Sequence, residues 1–157
     1  MKVVDAMMGT PYYCQPDSNL GFATELMWKG NCGFLPVLEP DGRVAGVLTD
    51  RDICIALGTR GLPCGRVRAA DAMSRNVRVC APDDELKTAM TVMRDGRVRR
   101  LPVVTKDGRL VGVISMDDIL LRSSSAAGSI SPEEIVSAFR AINTHELSLV
   151  APKAATA

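Results

Sequence analysis

The sequence predicts an α+β protein built from two copies of one structural unit and a C-terminal helix. Three observations support this fold class. The chain repeats itself at a constant offset of 66 residues, each repeat contains an amphipathic helical stripe, and each contains two short apolar runs joined by Asp-Gly. A unit of about 60 residues buries too little surface to be comfortably stable alone. We therefore expect the two copies to pack on each other around a pseudo-twofold axis.

The repeat needs no gap in its alignment. Residues 5–56 and 71–122 are identical at 20 of 52 aligned positions, whereas average residue usage gives about three by chance. The repeat predicts a first unit over residues 1–60, a connection over 61–67, a second unit over 68–122, a Ser/Gly linker over 123–130, and a helix with its tail over 131–157.

Each unit is predicted to run strand, helix, strand, strand, helix, after a short helical turn. The first helix of each unit shows apolar residues at spacings of three and four. Candidate N-cap residues precede these helices at Asp17 or Ser18 and at Asp83. Gly30 and Gly96 are expected to end the helices in a left-handed turn.

Two branched, apolar runs joined by Asp-Gly follow in each unit and predict a β-hairpin. A second helix follows each hairpin, and the first of these is expected to close at Gly58. The predicted ranges are 34–38, 44–48 and 50–57 in the first unit and 101–104, 110–114 and 116–122 in the second, with short helical turns at 3–8 and 68–74.

The C-terminal segment carries a strong helix start. Ser131 is predicted at the N-cap, with a proline after it and Glu134 at the third helical position. Ile135, Phe139 and Ile142 share one face of this helix. That face is expected to dock on the module or on a second copy of the chain.

The composition argues against several classes of protein. Lys and Arg together number 19 and Asp and Glu 18, for a net charge of +1, which disfavours a general binder of nucleic acid or anionic membranes. The longest apolar runs are far shorter than the ~20 residues of a membrane span, and the N-terminus lacks the apolar region of a secretory signal. We expect a cytoplasmic protein with no membrane or nucleic-acid partner.

The usual catalytic groups are scarce in this sequence. The chain has one histidine, His145, and it has neither a Gly-x-Ser-x-Gly elbow nor a P-loop. General acid-base or nucleophilic chemistry therefore lacks its common participants, and we do not expect an enzyme. With one histidine and no C-x-x-C pair, a four-ligand zinc site is hard to assemble, and no metal site is expected.

The five cysteines are odd in number, which does not suggest a disulfide framework. Four lie in apolar segments and are expected to be core thiols of a reducing compartment: Cys14, Cys32, Cys54 and Cys80. A redox-sensing pair stays open as an alternative.

The residues that carry chemistry lie where the last strand of each unit meets its last helix. Each junction holds a glycine, a hydroxyl residue and an aspartate at spacings of three: Gly46, Thr49 and Asp52, then Gly112, Ser115 and Asp118. The hydroxyl and the aspartate match a helix capping box, which explains both side chains without a ligand. The alternative is a nucleoside phosphate site. The glycine permits close approach to the backbone, the helix N-terminus favours an anion, and the carboxylate suits ribose hydroxyls.

The tandem unit, the Leu-Pro-Val strands, the Asp-Gly hairpins and these junctions resemble a pair of cystathionine-beta-synthase (CBS) domains over about residues 1–122. In that family two repeats form a module whose cleft binds adenosine-containing ligands such as AMP, ADP, ATP or S-adenosylmethionine. The resemblance implies that Asp52 and Asp118 hold ribose hydroxyls and that Thr49 and Ser115 contact ribose or phosphate. It also implies that adenine contacts apolar residues of the first two strands of each unit, near Tyr12, Val77, Leu35, Pro36, Leu101 and Pro102.

The resemblance further implies that basic residues before the Leu-Pro-Val strand reach ligand phosphates. In the second repeat these are Arg99 and Arg100, with Arg51 of the first helix junction as the next candidate. The matching stretch of the first repeat, residues 31–34, has no cation. We therefore expect the first repeat to favour a less charged ligand or none.

The leading hypothesis is a non-catalytic regulatory module. It binds an adenosine nucleotide in the cleft between its two repeats, AMP first and ADP or ATP next, and signals energy or metabolic state to an effector protein of unknown identity. The resemblance also implies a homodimer. Three alternatives stay open: an S-adenosylmethionine-binding module, a protein-interaction module without a ligand, and a redox-sensing thiol protein.

Overall fold

Each half of the chain folds into an antiparallel hairpin with a helix on either side of it in sequence. The structure is a computed structural model that describes residues 1–122 and 130–144. The helices and strands are α1 (Leu20–Lys29), β1 (Phe34–Leu38), β2 (Val44–Thr49), α2 (Asp50–Arg60), α3 (Leu86–Gly96), β3 (Arg100–Val104), β4 (Leu110–Ser115), α4 (Met116–Leu120) and α5 (Pro132–Ile142). The predicted α+β class, with two equivalent halves and a C-terminal helix, is confirmed. No helix within the described residues combines the length and apolarity of a membrane span.

The two hairpins have the same register. Strand β1 pairs with β2 from Phe34 opposite Thr49, and β3 pairs with β4 from Arg100 opposite Ser115. The Asp-Gly turns contain Gly42 at φ 85° and Gly108 at φ 82°, a backbone region that favours glycine.

The strand predicted before the first helix of each unit shrinks to a single bridging residue. Cys14 bridges Val37 and Cys80 bridges Val103, both in the parallel sense. The N–H of Cys14 donates to the carbonyl oxygen of Pro36, and the carbonyl oxygen of Cys14 accepts from the N–H of Leu38. The next bond of this ladder needs an amide N–H at position 16, and at position 82 in the second half. Both positions are proline, which has no N–H to donate, so the ladder stops.

The first helix of each unit begins later than predicted. The N-cap of α1 is Asn19, whose side chain accepts from the Phe22 N–H at 2.9 Å. Ser18 is not the cap because its hydroxyl accepts from the Gln15 N–H in a preceding turn. In the second half Glu85 is the N-cap and makes no side-chain cap bond. The predictions of Asp17 or Ser18, and of Asp83, were wrong by one or two residues.

The predicted helix ends also shift. Gly30 has right-handed φ, and the left-handed residue is Asn31 at φ 45°. In the second half α3 includes Gly96, and Arg97 adopts φ 52°. Helix α2 continues through position 58 to Arg60, where Gly61 at φ 61° ends it. The left-handed turn exists in each case, but one to three residues after the predicted glycine.

Each half is completed by the segment that precedes the other half. Val3 and Ala6, at the N-terminus, belong to the buried cluster of the second half. Val67 and Ala69, at the start of the second repeat, belong to the cluster of the first half. These two segments each cross to the other half, and we call them the crossing segments. They join the repeats, which agrees with the expectation that the copies pack on each other.

Helix α5 covers the helices of the second half. Its residues Ile135, Ala138 and Ile142 share the buried cluster with Met93 of α3. The predicted start is confirmed: the side chain of Ser131 accepts from the third helical N–H, and its own N–H donates to the carboxylate at that position over 2.8 Å. The helix docks on the module itself. The predicted linker at 123–130, except residue 130, and the tail after residue 144 lie outside the described residues.

The cysteines divide into two groups. Cys14 and Cys80 are buried, and desolvation raises the pKa of their thiols to about 11 and about 12. Cys32 is half-buried, and Cys54 and Cys64 are exposed. The core prediction for Cys54 was wrong, because its side chain lies on the face of α2 that no described segment covers.

Candidate functional site

Two clefts lie between the halves. The first, which we call the Thr49 cleft, has a volume of about 360 Å³, within the usual size range of small-molecule sites. It is formed by the β2–α2 junction of the first half, by residues 74–78 and by the start of β3. Its lining residues include Val47, Thr49, Asp50, Arg51, Asp52, Ser74, Val77, Arg78, Arg97, Arg99, Arg100 and Pro102.

The second cleft, which we call the Ser115 cleft, is the pseudo-symmetric counterpart and has a volume of about 390 Å³. It is formed by the β4–α4 junction of the second half, by residues 8–12 and by the turn after α1. Its lining residues are Met8, Thr10, Pro11, Tyr12, Gly30, Asn31, Cys32, Phe34, Arg100, Val113, Ser115 and Asp118.

Each cleft combines the junction of one half with the walls of the other. Tyr12 of the first repeat lines the cleft of Ser115, whereas Val77 of the second repeat lines the cleft of Thr49. The cause is the crossing of segments: Ser74 and Val47 exchange backbone hydrogen bonds of 2.9 and 3.0 Å, and Met8 exchanges the equivalent pair with Val113.

This crossing reverses the predicted charge asymmetry. Arg99 and Arg100 were expected to serve the second repeat, but both line the cleft of the first repeat's signature, next to Arg51. The premise of a first-repeat junction without nearby cations is therefore wrong, because these arginines line its cleft. The order of the repeat along the sequence suggests that each arginine serves the nearest junction, whereas in the fold Arg99 lines the cleft of the other junction and Arg100 lines both clefts.

The hydroxyl and the aspartate of each junction hold each other in a capping box. Thr49 N–H and Thr49 Oγ1 donate to Asp52 Oδ2 at 2.9 and 2.6 Å, and Asp52 N–H donates to Thr49 Oγ1 at 3.2 Å. Ser115 and Asp118 repeat this geometry at 2.8, 2.6 and 3.1 Å. The capping interpretation is therefore correct for both junctions.

Capping does not use up the aspartates. Both bonds to the Asp52 carboxylate go to Oδ2, and Oδ1 makes no hydrogen bond within the described residues. The same is true of Asp118. Both carboxylates line their clefts and are only half-buried. The capping box thus fixes the orientation of a carboxylate that still has one oxygen for a ligand.

The glycines of the two junctions have a packing role. A Cβ at Gly46 would lie 2.6 Å from the Met73 Sδ and 2.9 Å from the Ser74 carbonyl oxygen. A Cβ at Gly112 would meet Met7 Sδ at 2.6 Å and the carbonyl oxygen of residue 8 at 2.7 Å. The close approach that glycine permits is therefore made by the chain's own crossing segments.

The predicted strand residues fall in two places. Leu35, Pro36 and Leu101 are buried, and both leucines are fully inaccessible members of the core clusters. Pro102 lines the Thr49 cleft. The other predicted site residues each line a cleft, except Gly46 and Gly112, and Arg100 lines both clefts.

Among the lining residues that the sequence analysis did not select, two occupy positions equivalent to predicted site residues. Arg78 lines the Thr49 cleft, and Phe34 lines both clefts. A signal was present for each, because at the offset of 66 Arg78 aligns with Tyr12 and Phe34 aligns with Arg100. Pairing every candidate with its equivalent in the other repeat would have found them.

The two clefts differ in charge. Five arginines line the Thr49 cleft, whereas Arg100 is the one cation among the described residues that line the Ser115 cleft. Arg99 and Arg100 make no ion pair with a carboxylate of residues 1–122 or 130–144. An anion in the Thr49 cleft therefore meets guanidinium groups that need not first leave a carboxylate. The same residue ranges contain no cluster of three or more potential metal ligands.

Known proteins share both the sequence pattern and the fold. The family model described as "CBS domain" matches residues 3–59 and 69–125. The CBS domain-containing protein YhcV of Bacillus subtilis is 32% identical over 130 residues, which are 82% of this chain and 91% of that protein. Inosine-5'-monophosphate dehydrogenase of Methanocaldococcus jannaschii is 33% identical over 108 residues, which are 68% of this chain. The aligned part is only 20% of that enzyme's length.

A solved structure supports the fold. The CBS domain pair of protein MJ0100, in complex with 5'-methylthioadenosine and S-adenosyl-L-methionine, matches with a TM-score of 0.70 and 24% identity over 77% of this chain and 94% of that chain. Since the family model covers both halves of the sequence, this protein belongs to the CBS domain family and carries two CBS domains in tandem.

Proposed function

We propose that this chain is a regulatory module that binds an adenosine nucleotide in the Thr49 cleft. One observation carries the proposal: the oriented carboxylate of Asp52 and several arginines, among them Arg99 and Arg100, line one cleft of suitable size. A ribose phosphate presents hydroxyls that donate to a carboxylate and an anion that accepts from guanidinium groups. The cleft offers both kinds of partner.

The ribose is assigned to Asp52. Oδ2 is held by the backbone and the hydroxyl of Thr49, and Oδ1 makes no bond in the described chain. A ribose hydroxyl donating to Oδ1 would therefore not disturb the start of α2. The resemblance to CBS domains supports the same assignment.

The phosphates are assigned mainly to arginines of the second half. Arg99 is exposed and directly precedes β3, and Arg100 is half-buried and begins that strand. Arg51 follows the junction on the first turn of α2. Guanidinium groups bind phosphate oxygens in a bidentate manner. The base is assigned to the apolar wall of Val77 and Pro102.

The expected affinity suits a sensor. A mononucleotide of about 23 heavy atoms at roughly 0.3 kcal/mol per atom gives about 7 kcal/mol, which is a Kd near 10 μM. We place AMP first, with ADP and ATP next. S-adenosylmethionine is the alternative, and it is supported by the CBS domain pair of MJ0100, whose structure was solved in complex with that ligand. A nucleotide bound between the halves changes how firmly they are held together, and an effector protein reads that change.

The proposal is tested by isothermal titration calorimetry of the full chain with AMP, ATP, S-adenosylmethionine and GMP. The informative variants are Asp52→Asn and Asp118→Asn, because Asn keeps an acceptor oxygen for the cap. We expect Asp52→Asn to weaken binding of the anionic adenosine nucleotides by about tenfold or more, and Asp118→Asn to leave the tighter AMP or ATP site unchanged. Equal effects of the two variants, or no binding of any adenosine compound by the natively melting protein, would overturn the proposal.

We further propose that two copies associate. The resemblance implies a homodimer, and the helices of the first half expose Phe22, Trp28 and Ile55. Trp28 is 87% exposed, which is unusual for a large aromatic residue. Helix α5 packs on α3 and α4 of the second half and not on the helices of the first half. The first half therefore offers the face for a second copy.

A further inference from the structure

Two residues are common to the linings of the two clefts, and we call them the wall between the clefts. Phe34 and Arg100 line both the Thr49 cleft and the Ser115 cleft. They occupy equivalent positions at the start of β1 and β3, each opposite the hydroxyl residue of its own junction. The pseudo-twofold axis therefore relates an aromatic ring to a guanidinium group, and the wall carries one cation instead of two.

This single cation matters unequally to the two clefts. The Thr49 cleft has four further arginines, including Arg78 and Arg99. In the Ser115 cleft, Arg100 is the one cation among the described lining residues, and Asp118 supplies a carboxylate. An anionic ligand in the Ser115 cleft would therefore depend on Arg100 to offset a neighbouring negative charge.

We propose that the two clefts share Arg100, so that an anionic nucleotide in the Thr49 cleft turns the Ser115 cleft into a site for uncharged adenosine compounds. This inference rests on the proposed function. A phosphate in the Thr49 cleft engages the guanidinium of Arg100 and offsets its single positive charge, so that a second phosphate across the wall is attracted less strongly. The second phosphate also meets the negative charges of the first phosphate and of Asp118.

The uncharged ligand has a suitable surface in the Ser115 cleft. Its walls contain Pro11, Tyr12, Phe34 and Val113, which supply apolar and aromatic contacts for a purine. Asp118 Oδ1 makes no hydrogen bond in the described chain and can accept from the ribose hydroxyls. A nucleoside without phosphate contacts these groups and does not need an ion pair with Arg100. Each cleft therefore selects a different charge class of one ligand family.

The test titrates the full chain with ATP as the anionic probe and with 5'-methylthioadenosine as the uncharged probe. For ATP we expect two classes of site, the second weaker by about tenfold or more. After saturation of the tighter site with ATP, 5'-methylthioadenosine is expected to bind one further site with the affinity that it shows without ATP. Asp118→Asn should weaken that further site and leave the tighter ATP site unchanged.

Two variants of the wall make the test specific. Phe34→Arg supplies the missing second guanidinium and is expected to bring the two ATP affinities together. Arg100→Gln is expected to abolish the weaker ATP site without changing the binding of 5'-methylthioadenosine. Arg109→Gln is the matched control, because this exposed arginine pairs with Asp107 and lines neither cleft. It should behave as the unmodified chain.

The outcomes separate this inference from the proposed function. Two ATP sites of equal affinity, or a difference that neither Phe34→Arg nor Arg100→Gln changes, would overturn the sharing of Arg100 and leave the proposed nucleotide binding intact. Loss of 5'-methylthioadenosine binding on saturation with ATP would also overturn it. Absence of binding by every adenosine compound would overturn both.

Discussion

Thr49 Oγ1 donates a 2.6 Å hydrogen bond to Asp52 Oδ2, and this bond joins the end of β2 to the first turn of α2. The same bond joins Ser115 to Asp118 in the second half. A helix cap and the carboxylate proposed to bind the ligand are thus built from one pair of side chains. Stability and binding are therefore separable by choosing which partner is changed.

Thr49→Ala and Ser115→Ala are each expected to lower the free energy of unfolding by about 1 kcal/mol, because each removes an N-cap acceptor. The melting temperature should fall by about 2 to 4 °C. Thermal unfolding followed by circular dichroism measures both. Thr91→Ala is the control, since its hydroxyl donates to the Lys87 carbonyl on the exposed surface of α3, and we expect a change within about 0.5 kcal/mol. A control as destabilised as the cap variants would contradict the capping role.

Gly46→Ala and Gly112→Ala are expected to destabilise the protein by about 1 to 3 kcal/mol through overpacking. The new Cβ meets a backbone carbonyl oxygen of the crossing segment, within 2.9 Å at Gly46 and 2.7 Å at Gly112. Urea unfolding measures the loss. Gly58→Ala is the matched control, because no atom lies within 4 Å of its Cβ position in α2. That change should stabilise the protein by about 0.5 to 1 kcal/mol.

The buried thiols predict slow alkylation and an alkaline loss of stability. Burial raises the pKa of Cys14 to about 11 and of Cys80 to about 12, from 9.0. Because the unfolded thiol ionises at lower pH than the folded one, the stabilising contribution is complete below about pH 9 and is lost as the pH rises toward 11. Mass spectrometry after iodoacetamide at pH 8 should show Cys54 and Cys64 modified before these two. Equal rates at all four cysteines would contradict the burial.

Elements with a local cause could be predicted from the sequence. The hairpins follow from Asp-Gly between branched runs, and α5 follows from a serine cap three residues before Glu134. The first helices begin late because Ser18 serves a turn instead of a cap. The Ser18 hydroxyl can form either of two competing hydrogen bonds of similar strength, and a sequence pattern does not show which one forms.

A contact between residues far apart in sequence decides which side chains line each cleft. The residues of both walls could be selected from the repeat, but not which junction they face. Arg99 lies 50 residues after Thr49 and 16 residues before Ser115 in sequence, yet it lines the Thr49 cleft. The pairing of Ser74 with Val47 decides this, and that pairing is a tertiary contact with no local sequence signal. Symmetry between repeats indicates equivalent positions, whereas only the fold shows which equivalents meet.

Trp28→Glu is expected to convert a homodimer into a monomer. The helices of the first half expose Phe22, Trp28 and Ile55, whereas α5 packs on α3 and α4 of the second half. A charge on the uncovered face opposes burial against a second copy. Light scattering across a range of concentrations measures the mass.

Val136→Glu, a change at an exposed apolar residue of α5, is the control and should leave the dimer intact. A monomeric mass of the unmodified chain at every concentration would refute the dimer. Loss of the dimer in Val136→Glu alone would move the interface to α5.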